Sequence, residues 1–448
     1  MTSVANPSLL SEAEIRKVAL ASAIGTTIEW YDFFLYNTFS ALIFNKLFFP
    51  SFDPLVGTML AFTTALVGFI ARPLSGIVFG HFGDRLGRKK MLILTLLIMG
   101  IGTFLIGLLP TYDAIGVWAP ILLLVLRICQ GVGVGGEWGG AVLMAVEHSP
   151  TGRRGFYGSW PQIGVPAGLA LATGMVALLT QLPGDMFFQG WWRVAFLISL
   201  VLVIIGIYIR LKIMETPAFQ RVQATQTVSS VPFLDLMRHH WKQVLLGMGC
   251  RYIEGVTFNI YGVFVIAYIV TTLKMPRTTA LLAVTAASIV MIFFIPVFGR
   301  LSDRLGRKRV FGFAAALTGL LAFPAFWTMS TAGGNGLVVA LAIIIPFGIV
   351  YAAVYGPIAA LFSELFETRV RYSGISFVYQ FSGIFASGLT PIIATALLKE
   401  GDGQPWLIAG YMLIVGCIST ICAYALKETA HAEMIASTRR SVAPSPGD

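Results

Sequence analysis

Apolar stretches of about twenty residues or more recur along the chain with only short polar connections between them. They fall near 18–45, 55–81, 91–110, 117–147, 155–181, 191–213, 243–272, 278–299, 310–331, 336–365, 372–399 and 405–427. A helix needs about 20 apolar residues to cross a bilayer. Inside the bilayer each backbone N–H and C=O must find its partner within the span. Such a chain is therefore expected to be all-α, a polytopic membrane protein with twelve transmembrane helices. Its composition agrees: 56% of the 448 residues are hydrophobic and 12% charged, against about 25% charged in soluble domains. The first 17 residues are polar, and the run from Val18 lacks a small-residue cleavage site, so it reads as a first span rather than a signal peptide.

The net charge of +10 suggests nucleic acid until its placement is examined. With the N-terminus cytoplasmic, only Lys46, Arg193, Lys274, Arg277 and Lys399 lie outside, and Arg72, Arg127 and Arg251 lie within spans. The other 23 of the 31 basic residues fall on the inner side. That is the positive-inside bias, which makes both termini cytoplasmic and turns the basic excess into an orientation signal. No nucleic-acid partner is expected. Cys129, Cys250, Cys417 and Cys422 sit in apolar runs without ligand spacing and read as packing residues, so no metal or cofactor is expected.

The chain is internally doubled. "GHFGDRLGRKK" begins at Gly80 and "GRLSDRLGRKR" at Gly299, identical at seven of eleven positions. Glu147 and Arg154 in the first half match Glu364 and Arg371 in the second, both pairs seven residues apart. The expected organisation is a six-helix half over 1–213, a cytoplasmic linker over 214–241, a second six-helix half over 242–430, and a disordered tail over 431–448. Two parallel six-helix repeats are the arrangement of the major facilitator fold, and the two loops resemble that superfamily's signature. The resemblance implies gates built from Gly80, Asp84, Arg85, Arg88, Glu147 and Arg154 in one half and Gly299, Asp303, Arg304, Arg307, Glu364 and Arg371 in the other.

"RICQGVGVGGEWGG" (127–140) contains a GxGxxG match, which in a dinucleotide fold follows a strand and opens a helix. Here it lies inside a long apolar span, where small residues let helices approach closely. It is read as a packing face. Ionisable residues inside spans are costly, about 2.5–3.5 kcal/mol on insertion scales, and almost always face a bundle interior or a functional path. Arg127, Gln130 and Glu137 share one helical face, as do Glu29, Asp32 and Tyr36. Arg251, Glu254, Asn259 and Tyr261 form a third group in span 7. Trp138, Gln162, Tyr355 and Gln380 are further cavity candidates, while Glu29 and Arg72 also fit a structural ion pair.

"RICQG" resembles the superfamily's R-x-x-Q-G motif, and with "EWYDF", "ARPLSGIVFGHFGDRLGRK" and "QGVGVGGEWGGA" it resembles the metabolite:H+ symporter family, which includes shikimate, α-ketoglutarate, citrate and proline or betaine carriers. The resemblance implies a proton-coupled importer of a small organic acid, monomeric, in a bacterial inner membrane with lipid around it. Asp32, Arg127 and Glu137 are the proton-coupling candidates; Arg127, Tyr36, Glu29, Gln130, Trp138, Gln162, Arg251, Glu254, Asn259, Tyr261, Tyr355 and Gln380 are the substrate-binding ones. Alternatives are a zwitterion symporter, against which the short stretch after the last span counts, and a drug:H+ antiporter. No Ser/His/Asp set, HExxH or Walker loop is present, so an enzyme is not expected.

Overall fold

The computed structural model describes residues 12–52, 54–86, 88–135, 138–147, 149–150, 152–212, 232–366 and 371–430. Most of the segment expected as a linker and the whole expected tail lie outside these residues, as does Glu137. Among the described residues there is no strand.

Span 1 is the helix Glu12–Leu42, span 2 Pro54–Leu86 and span 3 Arg88–Leu108. Span 4 is Trp118–Val134, with Trp138–Glu147 beyond it, and span 5 is Arg154–Leu179. Span 6 is Phe187–Tyr208, span 7 Trp241–Thr271, span 8 Arg277–Leu305 and span 9 Arg307–Ser330. Span 10 is Gly336–Leu365, span 11 begins at Arg371 and ends at Glu400, and span 12 is Trp406–Ala425. Nine of the described helices are long and apolar enough to cross a membrane. Shorter apolar helices occupy spans 3 and 4, and the acids of span 1 make that 31-residue helix less apolar.

Small residues set the helix spacing. A Cβ on Gly131 would come within 2.2 Å of the Gly68 carbonyl oxygen, and one on Gly135 within 2.3 Å of the Arg72 oxygen. Spans 2 and 4 are therefore in backbone contact, and the glycine run is the packing face that its membrane context implies.

Spans 5 and 8 join the two halves along their length. Thr173 and Thr285 share a hydrogen bond of 2.7 Å, and Gln181 donates to Thr278 at 2.9 Å. At the end bearing the duplicated loops, a Cβ on Gly155 would meet the Gly299 carbonyl oxygen at 2.4 Å. Only glycine at both places allows that approach.

Among the described residues three π-helical segments interrupt the α geometry, Ile260–Phe264 in span 7, Ile344–Val350 in span 10 and Ile384–Gly388 in span 11, while span 6 opens on a kink at Gly190, whose φ is 137°. Wide turns of this kind are frequent at functional sites.

Candidate functional site

A chamber lies between the halves. Span 1 contributes Thr26, Glu29 and Trp30, and span 2 contributes Arg72. Spans 4 and 5 supply Val134, Trp138, Ala141, Val142, Pro161 and Gln162, and span 11 supplies Tyr379 and Gln380. Of the residues expected to bind substrate, the chamber thus collects Glu29, Trp138, Gln162 and Gln380.

Aromatic faces hold these walls in place. The Trp138 ring stacks on Tyr379 with centroids 3.6 Å apart, and its indole N–H donates to Gln162 Oε1 at 3.0 Å. Gln380 donates across the halves to the Gly135 carbonyl at 3.1 Å. The guanidinium carbon of Arg72 lies 4.2 Å from the Phe69 ring centroid, 4.3 Å from Phe33 and 5.7 Å from Trp30. Arg72 is only 2% exposed, and its Nε and Nη2 have no hydrogen-bond partner. Among the described residues no ion pair of Arg72 is seen, and Glu29 carries contacts of its own. Three rings offset part of the cost of burying the cation, each by about 0.5–2 kcal/mol.

Beside the chamber runs a buried polar chain. Arg127 donates to Gln130 Oε1 at 3.0 Å and to Asn37 Oδ1 at 3.3 Å. Gln130 donates to the Thr103 hydroxyl at 2.7 Å, which itself donates to the Met99 carbonyl at 3.0 Å. Ser199 donates to Asp32 Oδ1 at 2.5 Å, while Oδ2 has no hydrogen-bond partner. Asp32 and Arg127 are both fully buried. The expected direct pairing of Asp32 with Arg127 is not seen: Arg127 donates to Gln130 and Asn37, and Asp32 accepts from Ser199. Span 3 supplies Thr103 and span 6 supplies Ser199; both were missed in the sequence, where a lone hydroxyl in an apolar run carries no signal. The Phe33 ring lies between two cations, 4.4 Å from the Arg127 guanidinium carbon and 4.3 Å from that of Arg72.

Other expected site residues are packed away from the chamber. Tyr36 is fully buried, bonded to Thr64 and stacked under Arg127 at 4.3 Å. Arg251 pairs with Glu254 one turn along its own helix, and Tyr351 donates to Glu254 Oε1 at 3.0 Å. The Arg251 guanidinium also covers a face of Tyr379 at 4.1 Å, so it is a wall support rather than an open anion site. Asn259 turns back to the Gly255 carbonyl at 2.8 Å. Tyr261 stacks on Phe326 and Phe347, and Tyr355 on Tyr351. The π turn at Ile260–Phe264 breaks the α periodicity that put Tyr261 on the cavity face.

At the loop end, Asp303 of span 8 accepts from the Gly155 and Phe156 backbone N–H groups at 2.8 and 2.9 Å. These are first-turn amides of span 5, which have no partner within their own helix. One half thus caps a helix of the other. Arg307 ties Asp303 at 2.7 Å to Glu364 at 3.4 Å, and Arg154 reaches Glu364 from the first half at 3.9 Å. Arg371 donates instead to the Phe366 carbonyl at 3.1 Å, and Arg304 is exposed, so neither supplies a described contact to Glu364. Glu364 is further held by Thr429 at 2.6 Å, and Glu428 accepts from the Arg307 backbone N–H at 2.8 Å. The side chains of Asp84, Arg85, Arg88 and Glu147, and the surroundings of Gly80, lie outside the described residues.

Known proteins share this architecture. Residues 18–230 match the family described as "Sugar (and other) transporter" and residues 248–444 match "Major Facilitator Superfamily". The chain is 39% identical to the shikimate transporter of Escherichia coli (strain K12), over 94% of this chain and 97% of that one. The chain belongs to the major facilitator superfamily. It is 35% identical to the proline/betaine transporter of the same strain, over 96% of this chain and 87% of the other. Among solved structures, a proton:xylose symporter superposes with a TM-score of 0.71 at 17% identity, covering 93% of this chain and 95% of that one, which shows the shared fold. This major facilitator protein is a polytopic transporter of the twelve-span, two-bundle fold, not an enzyme.

Proposed function

We propose that this transporter is a proton-coupled symporter that imports a small organic acid across a bacterial inner membrane by alternating access, with both termini cytoplasmic. The observation that carries the reading is a pair of opposite charges, Asp32 and Arg127, both fully buried on spans 1 and 4 beside a chamber between the halves. Burial favours a neutral carboxyl, whereas an approaching guanidinium favours its anion. Asp32 is the proton carrier in this reading. A shift of Arg127 towards it releases the proton; a shift away lets one bind.

Alternating access follows from the loop-end clamp. Opening that end requires Asp303 to leave the first turn of span 5, so the clamp favours the state in which the loop end is closed. A monoanion accompanied by one proton moves no net charge. The pH gradient then drives uptake by about 1.4 kcal/mol per unit, and the membrane potential contributes only if further protons travel.

Proteoliposomes loaded with a pH-sensitive dye test the proposal. Shikimate added outside is expected to acidify the lumen, and Asp32→Asn is expected to abolish that signal while leaving substrate exchange across the membrane intact. Full gradient-driven accumulation by Asp32→Asn overturns the assignment of the carrier. Expulsion of cationic dyes, with no acidification by any acid, overturns symport in favour of antiport.

A further inference from the structure

We infer that Arg72, with Gln162 opposite a hydrogen-bonding oxygen, defines the substrate as a monocarboxylate that bears a hydroxyl or keto group and no ammonium. The inference rests on the symport reading above and assigns the chemistry of its chamber. Arg72 is the one arginine lining the chamber among the described residues. Its unpartnered atoms are Nε and Nη2. Their hydrogens lie on the same edge of the planar guanidinium, the edge that takes both oxygens of one carboxylate. Arg127 and Arg251 also keep an unpartnered Nε, but Arg127 is held by Gln130 and Asn37, Arg251 pairs with Glu254, and neither lines the chamber. One unpaired fork on the chamber wall matches one carboxylate.

The second feature is Gln162. An indole nitrogen only donates, so Trp138 fixes the amide with Oε1 towards the ring. That leaves Nε2, buried and without a partner, on a residue lining the same chamber. A buried donor of this kind is satisfied by a neutral oxygen on the substrate. A quaternary ammonium, by contrast, is recognised by open aromatic faces. Here Arg72 already lies over Phe33 and Phe69, and Tyr379 is covered by Arg251 on the one hand and Trp138 on the other. A betaine head group would meet guanidinium charge where it needs π density.

Binding to the purified full-length protein in detergent, measured by calorimetry without any gradient, separates this inference from proton coupling. The probes are shikimate, benzoate, benzamide and glycine betaine. Shikimate is expected to bind at least tenfold more tightly than benzoate, benzoate at least tenfold more tightly than its uncharged amide, and betaine not at all. Arg72→Gln is expected to erase the preference for benzoate over benzamide. Arg72→Lys, which keeps the charge and loses the fork, is expected to retain part of it. Gln162→Leu is expected to erase the preference for shikimate over benzoate. Betaine binding as tightly as shikimate, or Arg72→Gln keeping wild-type preference, overturns the inference while leaving symport standing. If the wild-type protein binds and transports no carboxylate, both fall together. Should Arg72→Gln fail to fold, the wild-type ranking of the four probes decides.

Discussion

Replacing Asp303 by Asn probes a place where a side chain of one half caps a helix of the other. The carboxylate holds two amides, at 2.8 and 2.9 Å, with one oxygen each. An amide side chain keeps one acceptor and turns a donor towards the second N–H. The loss of one hydrogen bond to a charged group is worth about 1.5–3 kcal/mol, and the lost charge at a helix N-terminus adds about 0.3–1 kcal/mol. Together they shift the balance between closed and open loop ends by about 2–4 kcal/mol, a factor of roughly 30 to 700. Arg307 remains paired with Glu364, which limits collateral damage. The assay is the rate at which a membrane-impermeant thiol reagent reaches Ala141→Cys, on the chamber wall, with the four native cysteines changed to Ser. In vesicles that expose the loop end, Asp303→Asn is expected to raise that rate by at least tenfold. An unchanged rate in a folded, monodisperse protein refutes the reasoning that this cap holds the halves together.

Three further perturbations have defined outcomes. Gly131→Ala pushes a methyl into the Gly68 backbone and is expected to cost about 1–3 kcal/mol, read as a lower melting temperature in detergent. Thr103→Val removes the acceptor for the Gln130 amide and is expected to cost about 1–3 kcal/mol and to reduce gradient-driven accumulation more than exchange; equal losses in both assays contradict a role in the proton path. Phe33→Leu removes the ring between Arg72 and Arg127 and is expected to weaken acid binding and slow proton-coupled uptake together, with calorimetry and dye quenching as the two readouts.

The fold was legible because a bilayer leaves so few options: the apolar runs and the duplicated Gly–Asp loops carry it almost alone. The first half of the candidate site was partly legible as well, since Glu29, Trp138 and Gln162 stand on unbroken α geometry or next to it. Faces in the second half were harder to read. Tyr261 sits where span 7 widens into a π turn, so spacing by 3.6 residues mis-aims it, and Asn259, the last residue of the regular helix, turns its amide back to Gly255. Arg72 was visible as an intramembrane charge, but no spacing rule reveals that three rings surround it. Thr103 and Ser199 reach Gln130 and Asp32 only through tertiary contacts between spans 1, 3, 4 and 6. Glu364 shows the same limit at the loop end, where Arg154 and Arg307 approach it from elsewhere in the chain.

The wide turns in spans 7, 10 and 11 have a consequence for how this molecule tolerates change in length. Each carries a residue beyond what an ordinary turn holds. Deleting one residue there returns the backbone to regular coiling while the helix beyond keeps close to its present facing, whereas the same deletion in a regular helix swings everything downstream by about 100°. These three places can therefore absorb a one-residue change in length that spans 1 to 5, with no such turn among their described residues, would pass on to the far ends of their helices.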